Sequence, residues 1–464
     1  MASKSKRQRL QQGSAKKTLQ NIKLILVFIF VIKLLIIWRI TNLPISQVQG
    51  HIWLGADGEN YLIGVDGLVK EGFFSKADIL NYWPAGYPLV IYLLSFFGKA
   101  WALTTLSVLQ SLFFNIAIYF FVKEIYFSKL TKYAFLAFLF MAFNPTLSLN
   151  SMAVGYESIC ASSYILIMAI IMNQLRKNIN SFSINSGLSV CFLFSFISFL
   201  QPRLLVSAVL ILPTLIVFKF KNNKLKILKV TALSILLILI LPITLILRNH
   251  IATGVNTIST NLGVTMNIGA GNTTGGYVKN PPGVPCDINE ADYSIPSMKA
   301  KTDAKKVQCV IKWYLENPAS ALKLFYNKSI YFWSPWFGPE ANGTMARNPW
   351  LTVHPFKNMT KTQDGINLLY GSIGKIISWI WLLSGIFLVF YGFLILWRQK
   401  FEVRLIAGVA GVIVISSWLV TLISIGDHRF RLPIMGASLF LQAVGIRTLF
   451  AGGRPPMVQS ASLR

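Results

Sequence analysis

Residues Leu225–Leu247 read LKILKVTALSILLILILPITLIL, and from Val230 onward the run carries no charged side chain. A helix crossing a bilayer needs about 20 mostly apolar residues, which this run supplies. It lacks the period-2 alternation of a barrel strand, so its backbone polar groups are expected to be satisfied within one helix. Comparable runs lie at Leu24–Leu43, Trp101–Val122, Tyr133–Leu149, Ser158–Met172, Ile184–Leu200, Leu204–Phe218, Ile373–Trp397, Leu405–Ile425 and Leu432–Phe450. Together they predict an all-α polytopic membrane protein with about ten transmembrane helices. The whole composition agrees: 464 residues, 54% hydrophobic, with a mean hydropathy of +0.56.

These runs divide the chain. A basic arm, 1–23, is expected to be disordered and cytoplasmic, and its hydrophobic continuation is too long for a cleavable signal peptide. An N-terminal transmembrane module spans 24–247 and contains a first exoplasmic loop at 44–100. The apolar stretch Gly86–Phe97 inside that loop is too short to cross, so it is expected to be re-entrant or interfacial. A larger exoplasmic segment, 248–371, opens with Gly- and Asn-rich turn sequence and becomes helical from Ser297 to Trp333. There Val307, Val310, Ile311, Tyr314 and Leu315 are predicted to share one face, and Pro318 to start a second helix. Transmembrane helices at 372–450 and a cytoplasmic tail, 451–464, complete the order, with both termini on one side.

The formal charge of +28 suggests nucleic acid at first sight. Its distribution argues for membrane orientation instead. With the arm, alternate turns and tail taken as cytoplasmic, that face holds just over half of the 44 Lys and Arg but only Glu124 and Glu402 of the 16 acids. The other acids and all four His then fall on the exoplasmic side, where the chemistry is expected. The charge is thus a topology signal with some affinity for anionic headgroups, and no nucleic-acid partner is expected.

Five carboxylates crowd into the first loop: Asp57, Glu59, Asp66, Glu71 and Asp78. Asp57 follows the first span closely, and a partly desolvated carboxylate there has the raised pKa of a general base. The alternative is that Asp57 or Glu59 simply favours the N-terminus of a helix. The other three read as solvated. Glu157, at the exoplasmic start of the fourth run, is a second candidate acid or else an interfacial cap. Arg203, Arg248, Arg429 and Arg431 lie at span ends on the same side, where guanidinium groups grip a lipid phosphate or else snorkel to the interface. Asp427 is a candidate partner for one arginine of the last pair.

Cys160 and Cys191 sit in apolar runs and read as small buried hydrophobes. Cys286 and Cys309 share the exoplasmic segment and are candidates for a disulfide if that side is oxidising. His51, His250, His354 and His428 show no metal-ligand spacing, and no P-loop, dinucleotide motif or GxSxG elbow occurs. No cofactor is expected and no metal site is assigned, although a divalent metal stays open.

Four stretches together resemble the bacterial C-type glycosyltransferases (GT-C) of the protein mannosyltransferase and family 39 kind. They are ADGENYLIGVDGLVKEG with YWPAGYPLVIYLLSFFG, PITLILRNHIATGVNTISTNLGVTMNIGAGNTTGGY, IKWYLENPASALKLFYNKSIYFW, and GDHRFRLPI. The likeness runs from about Leu24 to Phe450. It implies an enzyme of the bacterial inner membrane that moves a sugar from a polyprenyl-phosphate carrier to a lipid, glycan or protein acceptor on the exoplasmic face. Asp57 matches the family's catalytic base and Glu157 its second acidic position, while Arg248, Arg429 and Arg431 match basic residues near the donor phosphate. Gly58 separates Asp57 from Glu59 where many relatives have adjacent acids, so the base is one of these two. A polysaccharide polymerase or ligase, or a lipid-linked glycan flippase, is the alternative. The spans other than the first hold almost no charge, which counts against transport.

Overall fold

The structure is a computed structural model and describes residues 2–41, 58–98, 101–177, 183–219, 224–271, 286, 296–333, 371–426 and 428–451. Among these no strand occurs. The helices are α1 (Ala2–Thr41), α2 (Gly58–Glu71), α3 (Ile79–Tyr82), α4 (Gly86–Ser95), α5 (Ala102–Phe127), α6 (Thr131–Ala142), α7 (Pro145–Asn150), α8 (Tyr156–Lys177) and α9 (Ile184–Leu200). They continue as α10 (Leu205–Lys219), α11 (Lys224–Thr253), α12 (Leu262–Gly271), α13 (Pro296–Glu316), α14 (Pro318–Trp333), α15 (Gly371–Trp397), α16 (Phe401–Ile423) and α17 (Met435–Phe450). Short 3-10 turns occupy Pro202–Leu204 and His428–Ile434.

Among the described residues seven helical segments are long and apolar enough to cross a membrane, so the chain is an all-α polytopic membrane protein: Lys16–Trp38, Ala102–Phe127, Tyr156–Lys177, Lys224–Thr253, Trp379–Trp397, Phe401–Ile423 and Arg429–Phe450. The three other expected spans are shorter helices, Thr131–Ala142, Ile184–Leu200 and Pro202–Val217. The expected span Tyr133–Leu149 is broken, and the cause is local. Pro145 has no N–H to continue the ladder and pushes Asn144 to an extended conformation, φ −65° and ψ 115°, from which its Oδ1 accepts the Leu147 N–H and starts α7. Gly86–Ser95 forms the short helix expected within the first loop.

The N-terminal arm corrects another expectation. It is helical from Ala2 and continuous with the first span, in keeping with a composition of Lys, Arg, Gln, Ala and Leu, all good helix formers.

At the centre α5 packs on α8, with α1 and α6 on its other sides. Phe114, Phe121, Phe138, Tyr164, Phe194 and Phe440 are fully buried, and the Phe121 and Phe440 rings meet edge to face at 5.3 Å. Pro242 in α11 sits beside an N–H of Leu241 that donates to Ser195 Oγ of α9 at 3.2 Å, so a neighbouring helix supplies the acceptor there. A Cβ on Gly86 would overlap the Phe199 carbonyl, so α4 presses directly on the end of α9.

Two ion pairs mark one end of the bundle. Lys129 meets Glu402 at 3.5 Å, and Arg176 meets the buried Glu124 at 3.1 Å. The opposite end gathers α2–α4, the start of α8, the end of α11, α12–α14 and the 428–434 turn.

α13 differs from its predicted face. Val310 is buried and Val307 and Tyr314 pack beside it, but Ile311 and Leu315 are exposed. The packed stripe runs through Asp303, Lys306 and Val310 against α12 and on to Trp313, which packs on Ala321 and Leu324 of α14.

Candidate functional site

The turn entering α8, residues 151–155, is held from three helices. Lys33 Nζ of α1 donates to Ser151 Oγ at 2.9 Å while lying 4.5 Å from the Phe114 ring centre. From α5, Ser107 Oγ donates to the Met152 carbonyl at 2.7 Å and Gln110 Nε2 to the Ala153 carbonyl at 2.9 Å. From α4, Tyr87 Oη accepts the Gly155 N–H at 2.7 Å and donates to Gln110 Oε1 at 3.1 Å. Such a fully buried polar network fixes one conformation, because each group would be costly to leave unmade.

That turn delivers Tyr156 and Glu157 to the first turn of α8, with Glu157 only 2% exposed. A carboxylate there is favoured by the helix dipole. Arg203, in the turn between α9 and α10, donates through Nη2 to Tyr156 Oη at 2.6 Å and stacks 3.4 Å from the Phe430 ring centre. The Arg429 guanidinium lies 5.0 Å from the same ring. Tyr156 therefore lies in the field of Arg203, Glu157 and Arg429 together. Beside them Arg431 sits 5.9 Å from the Trp333 ring and lines a cavity of about 450 Å³. The rest of that cavity is mainly apolar, running along α17 and α15 past Met435, Leu439, Leu382 and Ile386.

The candidate residues thus separate. Glu157, Arg429 and Arg431 fall in one region, joined by Arg203. Tyr156 and Phe430 were missed by sequence reasoning, although each adjoins a residue it had picked. Asp57 lies outside the described residues, as do Asp427, His51 and His354. Glu59 falls in the first turn of α2, and its side chain also lies outside them. The start of α2 is nevertheless tied to the α8 turn, since the Tyr61 and Tyr87 rings meet at 5.0 Å and Tyr87 Oη holds Gly155.

Arg248 corrects the sequence reading. It is fully buried, and its guanidinium donates to the carbonyls of Phe73, Ser75 and Leu80 and to the side-chain oxygens of Asn81 and Asn249. Most of those bonds are spent on the loop between α2 and α3 and on α3 itself, so Arg248 clamps that segment to α11 rather than facing a ligand. Nearby, the Lys76 N–H and Ser75 hydroxyl hold the Glu71 carboxyl below its usual range. Asp78, expected to be solvated, pairs with Lys299 at 2.8 Å and stays largely exposed.

The α12–α14 unit docks at the same end. Cys286 and Cys309 are joined by a disulfide, with Cα atoms 5.9 Å apart, whereas Cys160 and Cys191 are free and buried. Asp303 Oδ1 accepts the N–H groups of Gly263 at 2.7 Å and Val264 at 3.2 Å, capping α12. Burial raises its carboxyl, and those N–H bonds oppose the rise. Lys328 Nζ donates to the carbonyls of Leu422 at 2.8 Å and Ser424 at 2.5 Å and to Tyr314 Oη at 3.2 Å, fastening α14 to the end of α16. Burial pushes its amine down to about 7.

Among the described residues no group of three or more His, Cys, Asp or Glu is placed to hold a metal. No protein-family model matches the chain, and no curated protein matches it either.

Proposed function

We propose that the chain is a membrane glycosyltransferase of the C type, which moves a sugar from a polyprenyl-phosphate donor to an acceptor hydroxyl or amine on the exoplasmic face of a bacterial inner membrane. One observation carries the reading: a buried carboxylate, Glu157, shares a neighbourhood with Arg203 and Arg429, next to Arg431 at the head of an apolar cavity. Acid, cations and an adjoining apolar channel are the parts needed to hold a lipid-phosphate sugar while its sugar is transferred to an acceptor and the lipid phosphate leaves.

In the proposed step a base takes the acceptor proton as the acceptor atom bonds to the anomeric carbon. The bond from that carbon to the phosphate oxygen breaks, and the electron pair leaves with the lipid phosphate. Attack opposite the leaving group inverts the anomeric centre. Asp57 is assigned as base with Glu59 as the alternative, Glu157 orients the acceptor, and Arg429 and Arg431 hold the charge developing on phosphate. Arg203 positions Tyr156 and Phe430. Arg248 acts indirectly, by fixing the loop that follows α2.

The test is transfer in membranes supplied with a panel of labelled polyprenyl-phosphate sugars. Asp57→Asn and Glu157→Gln, at wild-type abundance, are each expected to lower transfer by about 10²-fold or more. Wild-type transfer by both variants refutes the assignment, and movement of intact donor across the bilayer without transfer supports the flippase alternative.

A further inference from the structure

A second cleft lies at the opposite end of the bundle from Glu157. It has a volume of about 220 Å³ and runs between α10 and α16, with Ile211, Leu215, Leu405 and Val412 among its walls and Trp397 and Phe401 at its mouth. Among the described residues Arg404 is its one charged lining residue. The Arg404 Nε donates to the Trp397 carbonyl at 3.0 Å, which fixes the guanidinium at the rim, and among the described residues its two Nη groups have no partner. Arg398 and Lys400 occupy the adjoining turn. Glu402, two residues before Arg404 in sequence, pairs instead with Lys129 at 3.5 Å.

From this arrangement we infer that the cleft is a binding site for one anionic phospholipid of the adjacent leaflet, independent of the transfer chemistry proposed above. One acyl chain enters between α10 and α16, and the phosphate meets the Arg404 Nη groups by charge-assisted hydrogen bonds. Charge complementarity selects the headgroup, since among the described residues Arg404, the charged residue of the lining, meets no acid. The apolar walls select a chain over a free anion. Gly408 leaves part of the cleft open: a Cβ there would rest 3.6 Å from the Trp397 ring, so a larger side chain extends into the space without a clash at its root.

The test uses the full-length protein in discs of equal phosphatidylcholine and phosphatidylglycerol, with retained lipids read by native mass spectrometry. Wild type is expected to retain phosphatidylglycerol over phosphatidylcholine by about fivefold, the increment of one surface cation. Arg404→Gln is expected to bring that ratio to near one. Gly408→Leu keeps the cation but fills the cleft, so it is expected to lose the retained lipid of either kind. Millimolar glycerol phosphate is expected not to displace phosphatidylglycerol from wild type. A wild-type ratio near one, a preference that survives Arg404→Gln, or displacement by glycerol phosphate overturns the inference. Melting of each variant in pure phosphatidylcholine discs checks its fold, and the displacement arm on wild type decides the matter even where a variant melts low.

Discussion

Replacing Arg248 by Met separates its clamp role from a ligand role. The substitution keeps an apolar stem of similar length and removes the guanidinium that donates to Phe73, Ser75, Leu80, Asn81 and Asn249. Asn249 keeps other bonds, to the carbonyls of Thr257 and Ile258 at 2.8 and 3.1 Å. Ser75 and Leu80 are fully buried, so their carbonyls are left without a donor. Each buried orphan costs about 1–3 kcal/mol, which sets a local loss of about 3 kcal/mol after some relaxation. At about 1.4 kcal/mol per factor of ten, that equals on the order of 10²-fold faster amide exchange over residues 73–81. Hydrogen exchange by mass spectrometry on lipid-free detergent micelles reads this directly. Unchanged protection of that segment in Arg248→Met, with transfer lost, would refute the clamp and return Arg248 to the phosphate.

Three further outcomes follow from the site and the unit docked beside it. Arg203→Lys keeps a charge but loses the planar group bonded to Tyr156 and stacked on Phe430, so it is expected to destabilise the start of α8 by about 1–3 kcal/mol, read as a lower melting temperature with Arg203→Ala as the limit. The Lys328 amine titrates near 10.5 in the unfolded chain and about 7 in the fold. Between those values the unfolded chain binds more protons, so stability relative to Lys328→Met should rise with pH across that window, by up to about 1.4 kcal/mol per unit, in thermal unfolding from pH 7 to 10. Reducing Cys286–Cys309, which spans 23 residues of sequence, should cost α12–α13 about 3.5 kcal/mol by loop entropy, seen as exchange confined to those helices.

The sequence carried the membrane class because an uncharged run such as Val230–Leu247 has one economical solution in lipid. It also carried Glu157, Arg429 and Arg431, since charges at span boundaries stand out against apolar sequence. It did not carry the difference between Arg248 and Arg431. Both follow or precede an apolar run, and only tertiary contacts show that one is spent on backbone carbonyls while the other lines a cavity. The break at Asn144–Pro145 was legible in principle, but hydropathy outweighed proline in reading 133–149. Tyr156 and Phe430 carry no charge, so nothing in their pattern distinguished them from core. On α13 the apolar residues Ile311 and Leu315 drew the predicted stripe off the line that the buried Asp303 and Lys306 define.

The Lys33 contact also bears on the order in which the chain is made. Its amine enters the membrane 118 residues before Ser151, the hydroxyl it donates to, has been synthesised. The groups on α4 and α5 that hold the same turn, Tyr87, Ser107 and Gln110, are likewise made before it. During translation the first helix must therefore hold a polar group toward translocon, water or headgroups until residues 148–157 emerge and α8 inserts. Biogenesis, rather than the finished protein, is where a Lys33→Met chain should differ most: earlier lateral release into lipid, and slower capture of the turn that carries Glu157.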